Sequence, residues 1–310
     1  VERLYQRALA IAEQTHGAEH REVAQYLYKL GSFNLKLGKY AQSKTFHQRA
    51  LQIQEQTLET NHAHIALNLQ NLGTISYHMG NYVQAETFFQ QCLHIYRSLN
   101  PQPPELAEIL NDLAAVYRKQ GNYAQAEPLH LQALQLHEQL LGPEHGNMGG
   151  HLFNLASCYF EQGKYAQAES TYQEALNVWK RTIGEEDFDY AYGLRGLANL
   201  YQAQGLYTQA EPLYQQALAI FEATLGPENI NVARVLLGMA RLSTGQGDYS
   251  QAETRYQRAL PILEATLGPD HLDVAKAFDD LANMYAAQHN TTQAERFSRQ
   301  ALAIYQKVQE

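Results

Sequence analysis

The sequence predicts an all-α protein in which one helix-pair motif repeats along the whole chain. The tripeptides Gly38-Lys39-Tyr40, Gly80-Asn81-Tyr82, Gly121-Asn122-Tyr123, Gly163-Lys164-Tyr165, Gly205-Leu206-Tyr207 and Gly247-Asp248-Tyr249 recur, and a degenerate seventh, His289-Asn290-Thr291, follows. Their spacings are 42, 41, 42, 42, 42 and 42 residues, a register that marks a repeat architecture and overrides a two-domain reading of 310 residues. Apolar residues flank each tripeptide at helical spacing, as Leu113, Val116 and Tyr117 do before one and Tyr214, Ala217, Leu218 and Phe221 after another. Small residues at fixed places (Ala85, Ala126, Ala168, Ala210, then Cys92, Ala133, Ala175, Ala217) let neighbouring helices approach closely, with bulky partners filling the gaps.

Taken in order, residues 1–19 read as a lone second helix. Seven helix pairs follow at 20–61, 62–102, 103–144, 145–186, 187–228, 229–270 and 271–310. The Gly of each tripeptide stands where a first helix must end in a left-handed residue. Between units, Leu141-Gly142-Pro143-Glu144, Leu225-Gly226-Pro227-Glu228 and Leu267-Gly268-Pro269-Asp270 combine a Gly stop with Pro and an acidic N-terminal cap. Asn100-Pro101-Gln102-Pro103-Pro104 predicts a stiff boundary at the one short spacing. Three glycines in His145-Gly146-Asn147-Met148-Gly149-Gly150 predict a frayed helix start and a hinge, at up to ~1 kcal/mol per helical Gly. Pro261 predicts a kinked helix. The chain opens on Val1 already inside an amphipathic pattern, which reads as a fragment of a larger protein.

These residues resemble the tetratricopeptide repeat. The 42-residue period and the Leu-Gly-Pro-Asp-His loop at 267–271 are similar to the kinesin-light-chain variety. The resemblance implies a right-handed α-solenoid, a superhelix of about fifteen helices in one domain. Its first helices line a concave groove and its second helices form the convex wall.

Composition narrows the function. With 23 Lys+Arg against 32 Asp+Glu the formal charge is −9, which disfavours non-specific nucleic-acid binding and single-stranded RNA with it. No stretch approaches the roughly 18 apolar residues of a membrane helix. Charged residues are only 18 % of the chain, and 34 Gln make up the polar balance. Cys92 and Cys158 lie 66 residues apart without ligand-spaced companions, so they read as core thiols in a reducing, cytoplasmic setting rather than a disulfide or zinc site. His20, His145 and His271 recur at one loop position, which favours capping over ligation. No P-loop, Gly-x-Gly-x-x-Gly, Gly-x-Ser-x-Gly or His-Glu-x-x-His is present, so neither an enzyme, a cofactor nor a metal is expected.

Ligand information in a solenoid sits at variable groove positions. Counting each first helix from its Leu as position seven, offset six carries Asn71, Asp112 and Asn154, and offset five carries Asn111. The three Asn form a ladder, similar to the Asn-rich groove of kinesin light chains, that could hold a peptide backbone through paired donors and acceptors. The ladder stops at Gly196 and Gly238, where Arg195, Arg234, Arg241 and Lys276, with Tyr192, Asn199 and Asn283, surround the space those glycines leave open. Arg forks recognise carboxylate or phosphate, so an acidic segment is the ligand class this cluster suggests. Ion pairing to Asp279 and Asp280 is the structural alternative. Arg195, Asn199 and Lys276 also resemble three of five places at which some tetratricopeptide domains clamp a C-terminal carboxylate, while Gly238 and Asp280 depart at the other two. The leading function is a non-enzymatic scaffold that binds a protein or peptide segment in its groove. A ligand-sensing module of a larger signalling NTPase or effector protein is the alternative. Oligomeric state is left open.

Overall fold

The computed structural model describes residues 2–57, 62–99, 101, 103–142 and 145–309. Of the sequence expectations, Asn100, Gln102, Pro143 and Glu144 lie outside the described residues. Fifteen helices and no strand occupy the described residues.

The helices fall into two compact units, Val1–Gln162 and Gly163–Glu310. The first contains α1 (Glu2–His16), α2 (Arg21–Lys36), α3 (Tyr40–Thr57), α4 (Ala63–His78), α5 (Tyr82–Ser98), α6 (Glu105–Lys119), α7 (Tyr123–Leu141) and α8 (Asn147–Glu161). The second contains α9 (Tyr165–Thr182), α10 (Phe188–Ala203), α11 (Tyr207–Leu225), α12 (Ile230–Gln246), α13 (Tyr249–Leu267), α14 (Leu272–Ala287) and α15 (Thr291–Gln309).

Within a pair the turn is set by the tripeptide. Gly38, Gly80, Gly121, Gly205 and Gly247 adopt positive φ, between 71° and 80°. The next residue's N–H then reaches back five residues, as Asn81 N–H does to the Ser76 carbonyl at 2.8 Å and Leu206 N–H to Tyr201 at 2.9 Å. This left-handed closure satisfies carbonyls the helix end would otherwise orphan. The degenerate seventh tripeptide keeps the geometry without its glycine: His289 takes φ 59°, and Asn290 N–H still bonds the Tyr285 carbonyl at 2.8 Å.

Caps between repeats follow a different rule from the one the sequence suggested. Of the acidic residues after Gly-Pro, Glu228 and Asp270 do not cap. The following residue does, as Asn229 accepts from Asn231 N–H at 2.9 Å and His271 from Asp273 N–H at 3.0 Å. Asp270 instead pairs with Lys307. The recurring histidines His20, His145 and His271 act as read, each accepting through Nδ1 from the N–H two residues on, and His62, which the reading did not include, does the same. The glycine-rich segment is helical from Asn147, with Gly146 supplying no side-chain cap. Helix α13 runs unbroken through Pro261, as α7 and α11 do through Pro128 and Pro212, which the sequence reading passed over.

Packing fixes which side faces a ligand. In each unit the backbones of successive first helices come close (α2 with α4, α4 with α6, α6 with α8; α10 with α12, α12 with α14), whereas second helices reach one another through long side chains, as Lys44 on α3 does Gln84 on α5 at 3.2 Å and Arg258 on α13 does Glu222 on α11. The first helices therefore line the tighter side of each unit. Ala85, Cys92, Ala126 and Ala133 in the first unit, and Ala168, Ala175, Ala210 and Ala217 in the second, are fully buried. Gly73 shows how close the helices come, since a Cβ there would lie 2.6 Å from the Phe89 ring. Many tyrosines serve this stacking. Tyr117, Tyr201 and Tyr285 donate to Glu86, Glu169 and Glu253 of the preceding second helix at 3.1, 2.8 and 2.8 Å. Both cysteines are buried and free.

Candidate peptide-binding face

In the first unit the expected asparagine ladder does not stand free. Asn71 is half-buried and reaches Ser32 of the previous first helix at 3.5 Å. Asn111 is buried, and its Oδ1 lies 2.8 Å from His130 Nδ1 on its own second helix, so offset five turns inward here and Asn111 leaves the ladder. Asn154 is half-buried. Beside them the carboxyl of Asp112 is pushed up to about 7 by burial and by the charge of Glu108, against a hydrogen bond from Gln70.

The second unit holds the basic residues, and it sorts them. Arg241 on α12 pairs with Asp280 on α14 at 2.9 Å, an ion pair that outweighs burial and raises the guanidinium above its ordinary value. Arg234 pairs with Asp273 at 3.3 Å, and Lys276 approaches the same carboxylate at 3.9 Å. Asp279, the other expected partner, instead accepts from the Tyr305 hydroxyl at 2.6 Å. Arg195 on α10 is half-buried and has no carboxylate partner among the described residues. Its guanidinium lies 5.0 Å from the centroid of the Tyr192 ring. Burial, then the charge of Arg234, lowers its proton affinity.

The space expected at the glycines is not open. A Cβ on Gly238 would meet Tyr214 Cε1 and Cζ at 2.8 Å, so the fully buried tyrosine fills that place, and Gly196 is buried. The Tyr214 hydroxyl donates toward Asn199 Oδ1 at 2.6 Å and Gln202 Oε1 at 2.5 Å, leaving Asn199 its amide donors. The Tyr192 hydroxyl donates to Asn231 at 2.9 Å, tying α10 to α12. Asn283 is exposed on α14.

A tetratricopeptide-repeat family model matches residues 22–98, 105–181, 148–223, 189–265 and 244–307. The chain belongs to the tetratricopeptide-repeat family. No curated protein matches it. Among solved structures, this repeat chain is similar to a Podosopora anserina protein described as a kinesin light chain with nearly identical TPR-like repeats, at 24 % identity and TM-score 0.54 over 66 % of this chain and 97 % of that one. It is also similar to a Rap protein complexed with competence and sporulation factor, at 17 % identity and TM-score 0.74 over 97 % of this chain and 80 % of that one. The quorum sensor NprR of B. thuringiensis in its apo form gives 15 % identity and TM-score 0.74, over 97 % and 81 %. At these identities the likeness is one of fold.

Sequence reasoning missed a second grouping in this tetratricopeptide chain. It saw no metal-ligand spacing, yet the fold brings Glu108, His137 and His151 together from three helices. The only sequence signal is His137, His145 and His151 falling at intervals of 8 and 6 across a helix junction. No described helix is long and apolar enough to cross a membrane.

Proposed function

We propose that this tetratricopeptide-repeat chain is a non-enzymatic interaction module that holds a protein or peptide segment on its first-helix face, with an acidic group of that segment on Arg195. The supporting observation is the contrast among neighbouring arginines: Arg234 and Arg241 have carboxylate partners, whereas Arg195 is half-buried and has none among the described residues. A desolvated cation without a counter-ion is unfavourable, and an incoming carboxylate or phosphate relieves it through a bidentate fork. Arg234 stands close enough to depress Arg195, and it becomes a second contact by sharing itself between Asp273 and the ligand. Asn199 and Asn283 add donors beside the anion. The Rap likeness supports a peptide as the occupant, since another similar structure, the Rap conjugation gene regulator of the plasmid pLS20, is in complex with the Phr* peptide.

A charge-assisted contact contributes ~1.5–3 kcal/mol, which is about 10- to 150-fold in affinity. A fluorescein-labelled acidic peptide, titrated at low salt and followed by anisotropy, tests the reading. Replacing Arg195 and Arg234 with Ala abolishes binding if it is right, and unchanged affinity refutes it.

A further inference from the structure

Glu108 on α6, His137 on α7 and His151 on α8 each offer one ligand atom, and these atoms all lie within 4.8 Å of one another. His151 Nε2 is 3.7 Å from Glu108 Oε1, too long for a hydrogen bond. It is near the separation of about 3.3 Å that two ligands at 2.0–2.1 Å subtend at a tetrahedral zinc ion. Both nitrogens of His151 are buried without a hydrogen-bond partner, in a side chain 2 % exposed. An imidazole so placed is aimed at something that accepts its lone pair. His137 is 1 % exposed.

The surroundings prepare these groups for a cation. His145 Nδ1 accepts from Asn147 N–H at 3.4 Å, so at its 3.1 Å contact with His137 Nε2 it again accepts, and His137 is the donor. That assignment fixes the His137 tautomer and leaves its Nδ1 lone pair free, the way ligating histidines are held by a hydrogen bond from their other nitrogen. Asn147 donates to Glu108 Oε1 at 3.0 Å, orienting the carboxylate. Two neutral imidazoles and a carboxylate are borderline N/O donors that suit zinc-like divalent ions over calcium or magnesium.

We infer that Glu108, His137 and His151 form a site for a divalent transition-metal ion, zinc by donor type, which clamps α6, α7 and α8 together at the glycine-rich start of α8. Such a clamp fastens the helix start that Gly146, Gly149 and Gly150 leave weak, so the rigidity of this part of the array depends on the metal.

The test is equilibrium dialysis of the purified chain with zinc at neutral pH, with cobalt substituted to report coordination through its visible bands. The site predicts one tightly held ion per chain and a low-symmetry, tetrahedral-type cobalt spectrum. Glu108→Gln and His151→Val each weaken zinc binding by more than about tenfold. A His62→Ala/His64→Ala chain, which removes the histidine pair at the start of α4, binds as before. Zinc also slows amide exchange across residues 147–151 in the parent chain and leaves it unchanged in Glu108→Gln. Circular dichroism confirms that each variant remains helical, and Glu108→Gln preserves the side chain's shape. Failure of the parent chain to retain zinc overturns the inference, and so does undiminished affinity in both ligand variants.

Discussion

Replacing Gly238 with Ala tests whether the place the sequence left empty is filled. A Cβ there meets Tyr214 Cε1 and Cζ at 2.8 Å and its hydroxyl at 2.9 Å, so the ring must withdraw by about 0.6 Å to reach ordinary contact. Tyr214 cannot withdraw freely, because it is fully buried and its hydroxyl is held by Asn199 and Gln202. Ala gains ~1 kcal/mol of helix propensity over Gly. Overpacking costs ~1–3 kcal/mol, and a strained hydroxyl pair adds ~1 kcal/mol. The net is a loss of about 2 kcal/mol. Gly150, helical but with nothing within 4 Å of its Cβ position, provides the matched control, and Gly150→Ala should stabilise by ~0.5–1 kcal/mol. Repeat arrays open segment by segment, so the assay is amide exchange resolved to α8 and α12. Exchange in α12 should quicken about 30-fold in Gly238→Ala, while exchange in α8 slows in Gly150→Ala. Equal shifts in the same direction would refute the packing argument.

Three further outcomes follow from the buried titratable groups. Burial, with Arg118 and His151 adding to it, depresses His130 from 6.5 to about 3. Its contribution is therefore present above pH 6.5 and lost as pH falls toward 3, at most about 5 kcal/mol; urea titrations from pH 3 to 7 should show a shallower acid loss in His130→Phe. Asp112 has the opposite sign: with its carboxyl raised to about 7, its own contribution is fully present below pH 4 and is lost as pH rises through 7, a component of the pH profile that Asp112→Asn removes. The Cys92 thiol, pushed up by burial, should resist alkylation by iodoacetamide in the folded chain and react once the chain is denatured, as mass spectrometry would show.

The repeat register was legible because it is local chemistry. A left-handed turn favours Gly, and close helix contacts favour small residues such as Ala, so both recur about every 42 residues and could be counted. The caps were legible in part: the histidine recurrence named His271, whereas the Gly-Pro-acidic pattern pointed to its neighbour Asp270, which pairs with Lys307 instead. The face was legible only in outline. Offset arithmetic treats each helix alone, whereas the orientation of Asn111 depends on its own second helix carrying His130 where another repeat carries Phe89. Likewise, Gly238 reads as a gap until Tyr214 of the preceding second helix enters it. The basic residues were found by sequence. Which one lacked a counter-ion was not, because Asp273 and Asp280 are 39 residues from Arg234 and Arg241 and meet them only across the stack.

The central claim is that Arg195, which meets no carboxylate among the described residues, receives the ligand's acidic group. Its most direct test is the affinity of the labelled acidic peptide for the parent chain, Arg195→Ala and Arg241→Ala at one low salt concentration. Arg195→Ala should lose about tenfold or more in affinity, and Arg241→Ala, whose charge Asp280 already neutralises, should change little. Equal losses in the two variants, or no loss in Arg195→Ala, would contradict it.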